Sequence, residues 1–339
     1  MNVAELGEFP LIDRVRQILA TEQPDVVIGI GDDVAVLDVR GDEFILATVD
    51  SQVEDVHFLR QTITPYQLGR RALAINLSDI AAMGGWPQYA LASLALPTDT
   101  EVAWVEGLYR GLRVEADRFG VAVVGGNMAR SAAEIFIDVT VLGHVARRHL
   151  LLRSGAQPGD RVLVTGHLGD SAVGLSLLLH PELSIPPAER ALLTARHLTP
   201  TPRLPEAAVI ARSGLATAMI DLSDGLSSDI GHICERSQVG VRLWAARIPV
   251  SAAASRVAAQ TDKSPLSLAL EGGEDYELCF TAPPEATETL IADVVRETGT
   301  PVTVVGEILS LEQGRWLVSG DGHLAPLEAG GWEHFRHRS

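Results

Sequence analysis

Five short stretches of this 339-residue chain are built alike: an apolar run, then small residues, then carboxylates. They are Gly31-Asp32-Asp33, Asp50, Asp79, Asp221-Leu222-Ser223-Asp224-Gly225 and Gly272-Gly273-Glu274-Asp275. The first poses the problem most sharply. In VVIGIGDDVAVLD, residues 26–38, a strand running through both aspartates would turn one toward the core, where an unpaired carboxylate is very costly. Each stretch alone allows an ordinary explanation. Asp32-Asp33 can be a turn in water, Asp224 a helix N-cap, Glu274-Asp275 a hairpin tip and Asp79 a surface acid. Taken together they suggest another answer. Carboxylates gathered on turns are what a hard cation such as Mg²⁺ requires, with substrate phosphates completing its shell. A metal–phosphate site and a set of solvated turns are the two readings the residues leave open.

Complementary groups are present. VVGGN at 123–127 brings Gly125, Gly126 and Asn127, and TGHLGDS spans 165–171; each stretch follows a strand-like run. Bare backbone N–H groups there would meet an anion, or the two stretches are simply tight turns. Neither matches GxGxxG. Arg153 can reach a phosphate or lie in solvent. His57, shortly after Asp50, reads either as a polar group at a site edge or as a satisfied core histidine.

The bulk composition excludes much else. The formal net charge is −17, which repels nucleic acid and anionic lipid. It would repel a nucleotide too, unless divalent metal stands between. Lys263 is the only lysine and stands in no GxxxxGK[ST], so no P-loop is present; protein-kinase, Schiff-base and pyridoxal chemistry also want a placed lysine. Cys234 and Cys279 form no CxxC pair, as in a protein of a reducing compartment. No run is long and apolar enough for a membrane span, and MNVAELGEFP lacks the layout of a signal peptide. A cytoplasmic protein with neither nucleic-acid nor membrane partner is expected.

These residues need elements to position them. A short helix is expected over 10–20, and strands at 26–30, 34–38 and 43–49. TPYQLGRRALAINLSDIAAMGG reads as a helix capped by Thr64, with Pro65 in its first turn and Gly84-Gly85 beyond its end. Asn76, Asp79 and Met83 share one stripe of it. Strands follow at 90–96, 121–125 and 134–145, with a helix over 100–119. Gly, Pro and Ser cluster in RSGAQPGD at 153–160, the best linker candidate. Beyond it come strands at 161–165 and near 240–244, and helices near 187–197, 203–212 and 284–298. The fold class is α/β of the α+β type: two domains, 1–150 and 151–339, rather than one doubly wound sheet.

GEFPLI, GIGDDVAVL, DVHF, RALAINLSDIAAMGG, IDLSDGLSSDIGHI, ALEGGEDYELCFT and GGWEHF occur in this order along essentially the whole chain. Their sequence and spacing resemble the bacterial thiamine-monophosphate kinase family, within the aminoimidazole ribonucleotide synthetase-like superfamily. The resemblance implies a homodimer whose N-terminal domains, binding ATP and metal, close their mixed sheets into a barrel, each C-terminal domain covering a cleft. It implies Mg²⁺-assisted transfer of the γ-phosphoryl group of ATP to thiamine monophosphate, giving thiamine diphosphate. By motif match, Asp33, Thr48, Asp50, Asp79, Asn127, Asp221 and Asp224 would hold magnesium. Gly125, Gly126, Asn127, Arg153 and Ser223 would contact the nucleotide. His57, Glu274 and Trp332 would lie on the thiamine side, where a carboxylate or an aromatic face suits a cationic thiazolium ring. No residue beyond these metal- and phosphate-positioning groups is implied as catalytic.

The chain departs from the family pattern at one point of the implied site. Asn127 and Met128 stand where the pattern reads Asp-Thr, and Val49 where a threonine precedes Asp50. Both changes fall on one implied ion. Two alternatives therefore stand beside kinase activity: a related ATP-using enzyme with another small substrate, and a paralogue that binds nucleotide or thiamine phosphate with impaired turnover.

Overall fold

The computed structural model describes residues 3–19, 23–328 and 330–331. In its N-terminal part, helices α1 (Val3–Leu6) and α2 (Glu8–Ile18) precede strands β1 (Val26–Ile28), β2 (Ala35–Leu37) and β3 (Glu43–Val53). Then come α3 (Pro65–Ala82), β4 (Trp86–Leu96), α4 (Val102–Phe119), β5 (Ala122–Arg130) and β6 (Phe136–Ala146). The six strands form one mixed sheet in the order β1-β2-β3-β6-β4-β5, with β4 and β5 parallel.

The C-terminal part runs β7 (Arg161–Thr165), α5 (Asp170–Leu179), α6 (Pro187–Leu198), α7 (Leu204–Ser213), β8 (Ala218–Asp221) and α8 (Leu226–Ser237). It continues through β9 (Val239–Trp244), α9 (Ala252–Ala258), α10 (Pro265–Glu271), β10 (Leu278–Ala282), α11 (Thr287–Thr298), β11 (Val302–Ser310), β12 (Arg315–Val318) and β13 (Leu324–Pro326). Its sheet is also mixed, ordered β13-β12-β9-β11-β7-β10-β8. The expectation of two α/β domains rather than one doubly wound sheet holds, each domain being a mixed sheet with helices. Among the described residues no helix is long and apolar enough to cross a membrane.

The position of α3 organises the molecule. A reciprocal capping box starts it: Gln67 N donates to Thr64 Oγ1 at 3.3 Å and Thr64 N to Gln67 Oε1 at 3.0 Å. Its flanks are apolar nearly all round, and it packs on β3 and β6, on α4, and on α6, α7 and β8 of the other domain. Gly69 and Gly111 let α3 and α4 meet backbone to backbone, since a Cβ at Gly69 would collide with the Leu108 carbonyl and one at Gly111 with that of Tyr66. One apolar core therefore runs through both domains, joining Leu73, Leu77 and Ile80 to Val139 and Val141 on one side and to Leu204 and Met219 on the other.

Two expectations need correcting. The strand expected over 121–125 continues to Arg130, so Gly125, Gly126 and Asn127 lie inside edge strand β5 rather than in a turn after it. Gly126 is demanded by close approach, because a Cβ there would strike the Ala92 carbonyl on β4. Helices α9 and α10 were not anticipated. Their signal is a pair of serine caps, Ser251 accepting from Ala254 N and Ser264 from Ser267 N.

Candidate functional site

Asp33, between β1 and β2, Asp79, in the last turn of α3, and Asp221, ending β8, come from three separate elements. Each offers a carboxylate oxygen within 4.8 Å of the other two. Neighbouring hydroxyls orient two of them: Thr48 Oγ1 donates to Asp79 at 2.6 Å and Ser78 Oγ to Asp221 at 2.5 Å. Arg153 pairs with Asp33 and, at 3.8 Å, with Asp32, so it is not a solvated arginine. Asp50 faces the same side of β3 as Thr48, and its charge is felt at Asp79, Asp221 and Asp224.

The cluster carries more negative charge than it can hold. Burial, then the charges of Asp50 and Asp221, push the Asp79 carboxyl well above its ordinary range. Burial and Asp33 bring Asp221 up to about 7, and burial with Glu8 does the same for Asp224. Burial and Asp33 raise Asp32 to about 6. Burial opposes the charge of Arg153, yet Asp33 and Asp32 outweigh it and keep the guanidinium firmly protonated. One arginine does not balance these acids, and the buried Oδ2 of Asp33 has no hydrogen-bond partner. An all-oxygen donor set with an orphaned carboxylate oxygen fits a hard divalent cation.

Asp224 is not a helix N-cap. Gly225 holds that position, and Asp229, which the motif reading passed over, caps the turn by accepting from the N–H groups of Asp224 and Gly225 at 3.2 and 3.1 Å. The 165–171 stretch is no anion cradle, because Asp275 already fills it, accepting from Gly169 N at 2.7 Å and Ser171 N at 3.2 Å. Nor is Glu274-Asp275 a hairpin tip; it joins α10 to β10. The two acidic motifs there are tied together, with Glu274 N donating to the Ser223 carbonyl at 2.7 Å and Tyr276 N to that of Leu222 at 2.9 Å.

Within one chain the structure does not bring Asn127 to these acids. Asp50 pairs across to Val139, Ala92 and Gly126, and the next row runs Ser51, Asp138, Ser93, Asn127. Two whole strands, β6 and β4, separate Asn127 from β3. Val49 is exposed on the opposite face from Thr48 and Asp50. Gly125, Gly126 and Asn127 instead line an open groove of about 700 Å³ with Tyr109, Leu112 and Arg113.

At the other end of α3, Glu274 is paired with Arg71, and His197 Nδ1 lies 3.2 Å from its second oxygen. His57 is half-buried; its Nδ1 accepts from Val53 N at 3.1 Å. Trp332 lies outside the described residues. Its neighbour Gly330 donates to Ser227 Oγ at 3.3 Å, and Gly331 abuts the Asp224 backbone.

Residues 31–145 match the model of the AIR synthase related protein N-terminal domain, and 157–315 that of the C-terminal domain. The chain is 38% identical over 330 residues to thiamine-monophosphate kinase of Escherichia coli K12, covering 97% of this chain and 98% of that one. It is 38% identical over 335 residues to that of Aquifex aeolicus, covering 99% and 100%. The chain belongs to the thiamine-monophosphate kinase family. It superposes with a TM-score of 0.86 on a solved structure of AaThiL complexed with AMPPCP and TMP, at 37% identity over 98% of this chain and 99% of that one.

The motifs do not single out Gln52, Arg71, Ser78, His197 and Asp229, whose hydrogen bonds and ion pairs tie the candidate site together. For Arg71 a signal existed. It sits on the apolar stripe of Leu68, Ala72 and Ile75, where a charged residue demands a buried partner.

Proposed function

We propose that the protein transfers the γ-phosphoryl group of ATP directly to the phosphate of thiamine monophosphate, giving thiamine diphosphate and ADP. The observation that carries this is the convergence of Asp33, Asp79 and Asp221 from two domains around an unpartnered carboxylate oxygen. Asp33, Thr48, Asp50, Asp79, Asp221 and Asp224 are the residues suited to hold Mg²⁺. Mg²⁺ bound there supplies charge neutralisation for two phosphate chains that otherwise repel. Arg153, at the rim of the cluster, and Ser223, whose backbone is fixed by Glu274, are suited to contact the nucleotide's phosphates. His57 and Glu274 are suited to the acceptor side, with Trp332 close behind Gly331 in sequence. The attacking phosphate oxygen is already an anion. The residues therefore have to align and shield reactants rather than abstract a proton, and the direct transfer calls for no covalent intermediate on a side chain.

A homodimer is part of this proposal. One face of the N-terminal sheet exposes Val49, Tyr89, Leu91 and Leu142, an apolar surface left free of the core. Closing two such sheets into a barrel would cover it. It would also make edge strand β5, with Gly125, Gly126 and Asn127, available to a partner's acids. Incubating the protein with ATP, Mg²⁺ and thiamine monophosphate tests the reaction: thiamine diphosphate and ADP appear in equal amounts and vanish with EDTA. Orthophosphate without thiamine diphosphate would overturn it.

A further inference from the structure

The Arg71 side chain is 1% exposed, and all three guanidinium nitrogens are engaged. Nε donates to Gln52 Oε1 at 3.1 Å, Nη1 to the His197 carbonyl at 2.9 Å, and Nη2 to the His57 carbonyl at 3.4 Å while also pairing with Glu274. His197 supports the same carboxylate from α6, with Ser171 Oγ 3.2 Å from its Nδ1. These partners come from both domains: Gln52 and His57 from the N-terminal one, His197 and Glu274 from the C-terminal one. Glu274 has φ of 59°, a conformation that a residue with a side chain keeps only when its surroundings enforce it.

We propose that Arg71, seconded by His197, is the positioning residue of the acceptor half of the site, tying His57 and Glu274 into one wall across the domain junction. This rests on the reading above that those two residues face thiamine monophosphate. A buried ion pair is weak evidence for stability, since apolar residues of similar volume serve as well or better. A planar fork bonded to four groups at once does what packing cannot: it fixes their mutual orientation. It also changes what Glu274 offers. With Arg71 against it, Glu274 presents lone pairs aimed by its neighbours rather than a net negative charge, so it recognises a hydrogen-bond donor of the acceptor and not the cationic ring.

The test measures steady-state kinetics with thiamine monophosphate varied at saturating Mg-ATP, beside calorimetric binding of a non-hydrolysable ATP analogue. Arg71→Met is expected to raise KM for thiamine monophosphate by about tenfold or more, leaving nucleotide affinity within about twofold. Arg71→Lys recovers part of the loss, because it keeps the charge but not the fork, and His197→Gln shows a smaller shift of the same kind. Should Arg71→Met not fold, Arg71→Lys carries the same comparison, and the double variant Arg71→Met/Glu274→Gln, which removes the orphaned charge, is read against Glu274→Gln alone, with a further rise in KM expected. The inference is overturned if acceptor and nucleotide affinities fall together by one factor, or if a folded variant keeps its KM. Glu274→Gln separates the two levels. If it leaves KM for thiamine monophosphate unchanged, the acceptor-side reading itself fails. If it raises KM while the Arg71 variants do not, the inference alone fails.

Discussion

Helix α3 carries Arg71 and Asp79 about 12 Å apart along its axis, at roughly 1.5 Å per residue, and the protein surrounds them in opposite ways. Around Arg71 every charge has a protein partner. Burial would lift the Glu274 carboxyl, but Arg71 and His197 outweigh it and hold it at about 2. Around Asp79 burial and like charges act together, and the carboxyls are driven up. One pole is complete as folded; the other is built for something the chain does not supply. A phosphoryl-transfer site needs both, a rigid wall to set the acceptor and an under-neutralised pocket that gains its counter-charge with the nucleotide.

Removing a carboxylate should therefore have opposite consequences at the two poles. Asp50→Ala is expected to abolish turnover, by about a thousandfold or more if a metal ligand is lost. The metal-free protein should keep or gain melting temperature, because the charge of Asp50 strains Asp79, Asp221 and Asp224. Glu274→Gln should do the reverse to stability, stranding the buried Arg71. The cost is about 2 kcal/mol, below the roughly 3–5 of a fully buried pair because Glu274 keeps 30% exposure. Thermal melts of both variants beside wild type decide it, and a large drop for Asp50→Ala would make that residue structural.

The second contrast is in pH. Asp221 is raised to about 7 and Asp32 to about 6 in the folded protein, so each binds its proton more tightly folded than unfolded. Their contribution is fully present below the unfolded value near 4 and is lost as pH rises through 6 to 7. Glu274, depressed to about 2, contributes above its unfolded value near 4.5 and loses that only as pH falls toward 2. Metal-free wild type should thus melt several degrees higher at pH 5.5 than at pH 8. Millimolar Mg²⁺ should shrink the difference by stabilising the pH 8 form. A melting curve indifferent to both pH and Mg²⁺ would remove the contrast between the poles.

The two poles were also unequally legible in the sequence. The acidic pole could be read because small residues beside carboxylates at element ends are a local pattern: Asp33, Asp79 and Asp221 announce themselves within a few residues each. The fold was legible for a related reason, since the helix of Thr64-Pro65 and the strand at 161–165 carry their own caps and periodicity. The arginine pole could not be read that way. The stripe of Leu68, Ala72 and Ile75 shows which of two adjacent arginines turns inward, but Arg71 meets Glu274 across 203 positions of sequence, and nothing near Arg71 names that partner. The glycines of β5 misled in the other direction. Gly125-Gly126 suggests a turn, whereas the close approach of β4 is what requires glycine at 126. Asp275 closing the 165–171 turn is likewise a tertiary contact, invisible until the chain is folded.

The smallest expected effect concerns Asn127, which belongs to neither pole within a single chain. It lies on edge strand β5, separated from Asp50 by β6 and β4, and the neutral amide stands where the resemblance implies an aspartate. Two unit charges about 4 Å apart interact by about 4 kcal/mol at an effective dielectric near 20, and a carboxylate with a divalent ion by about twice that, before the carboxylate's desolvation is subtracted. The net gain from Asn127→Asp is smaller, and it exists only if a second copy brings β5 to the acids. The expectation is that Asn127→Asp lowers the Mg²⁺ concentration for half-maximal rate severalfold, with the melting temperature of metal-free protein unchanged or slightly reduced by the added charge. The effect should fade when the protein is diluted until sedimentation shows monomers, because each chain's own acids lie two strands away. An unchanged or raised Mg²⁺ requirement in the dimer would show that position 127 is not a ligand here. A lowered requirement that persists in the monomer would mean that Asn127 reaches the acids of its own chain, against the register of β3, β6, β4 and β5.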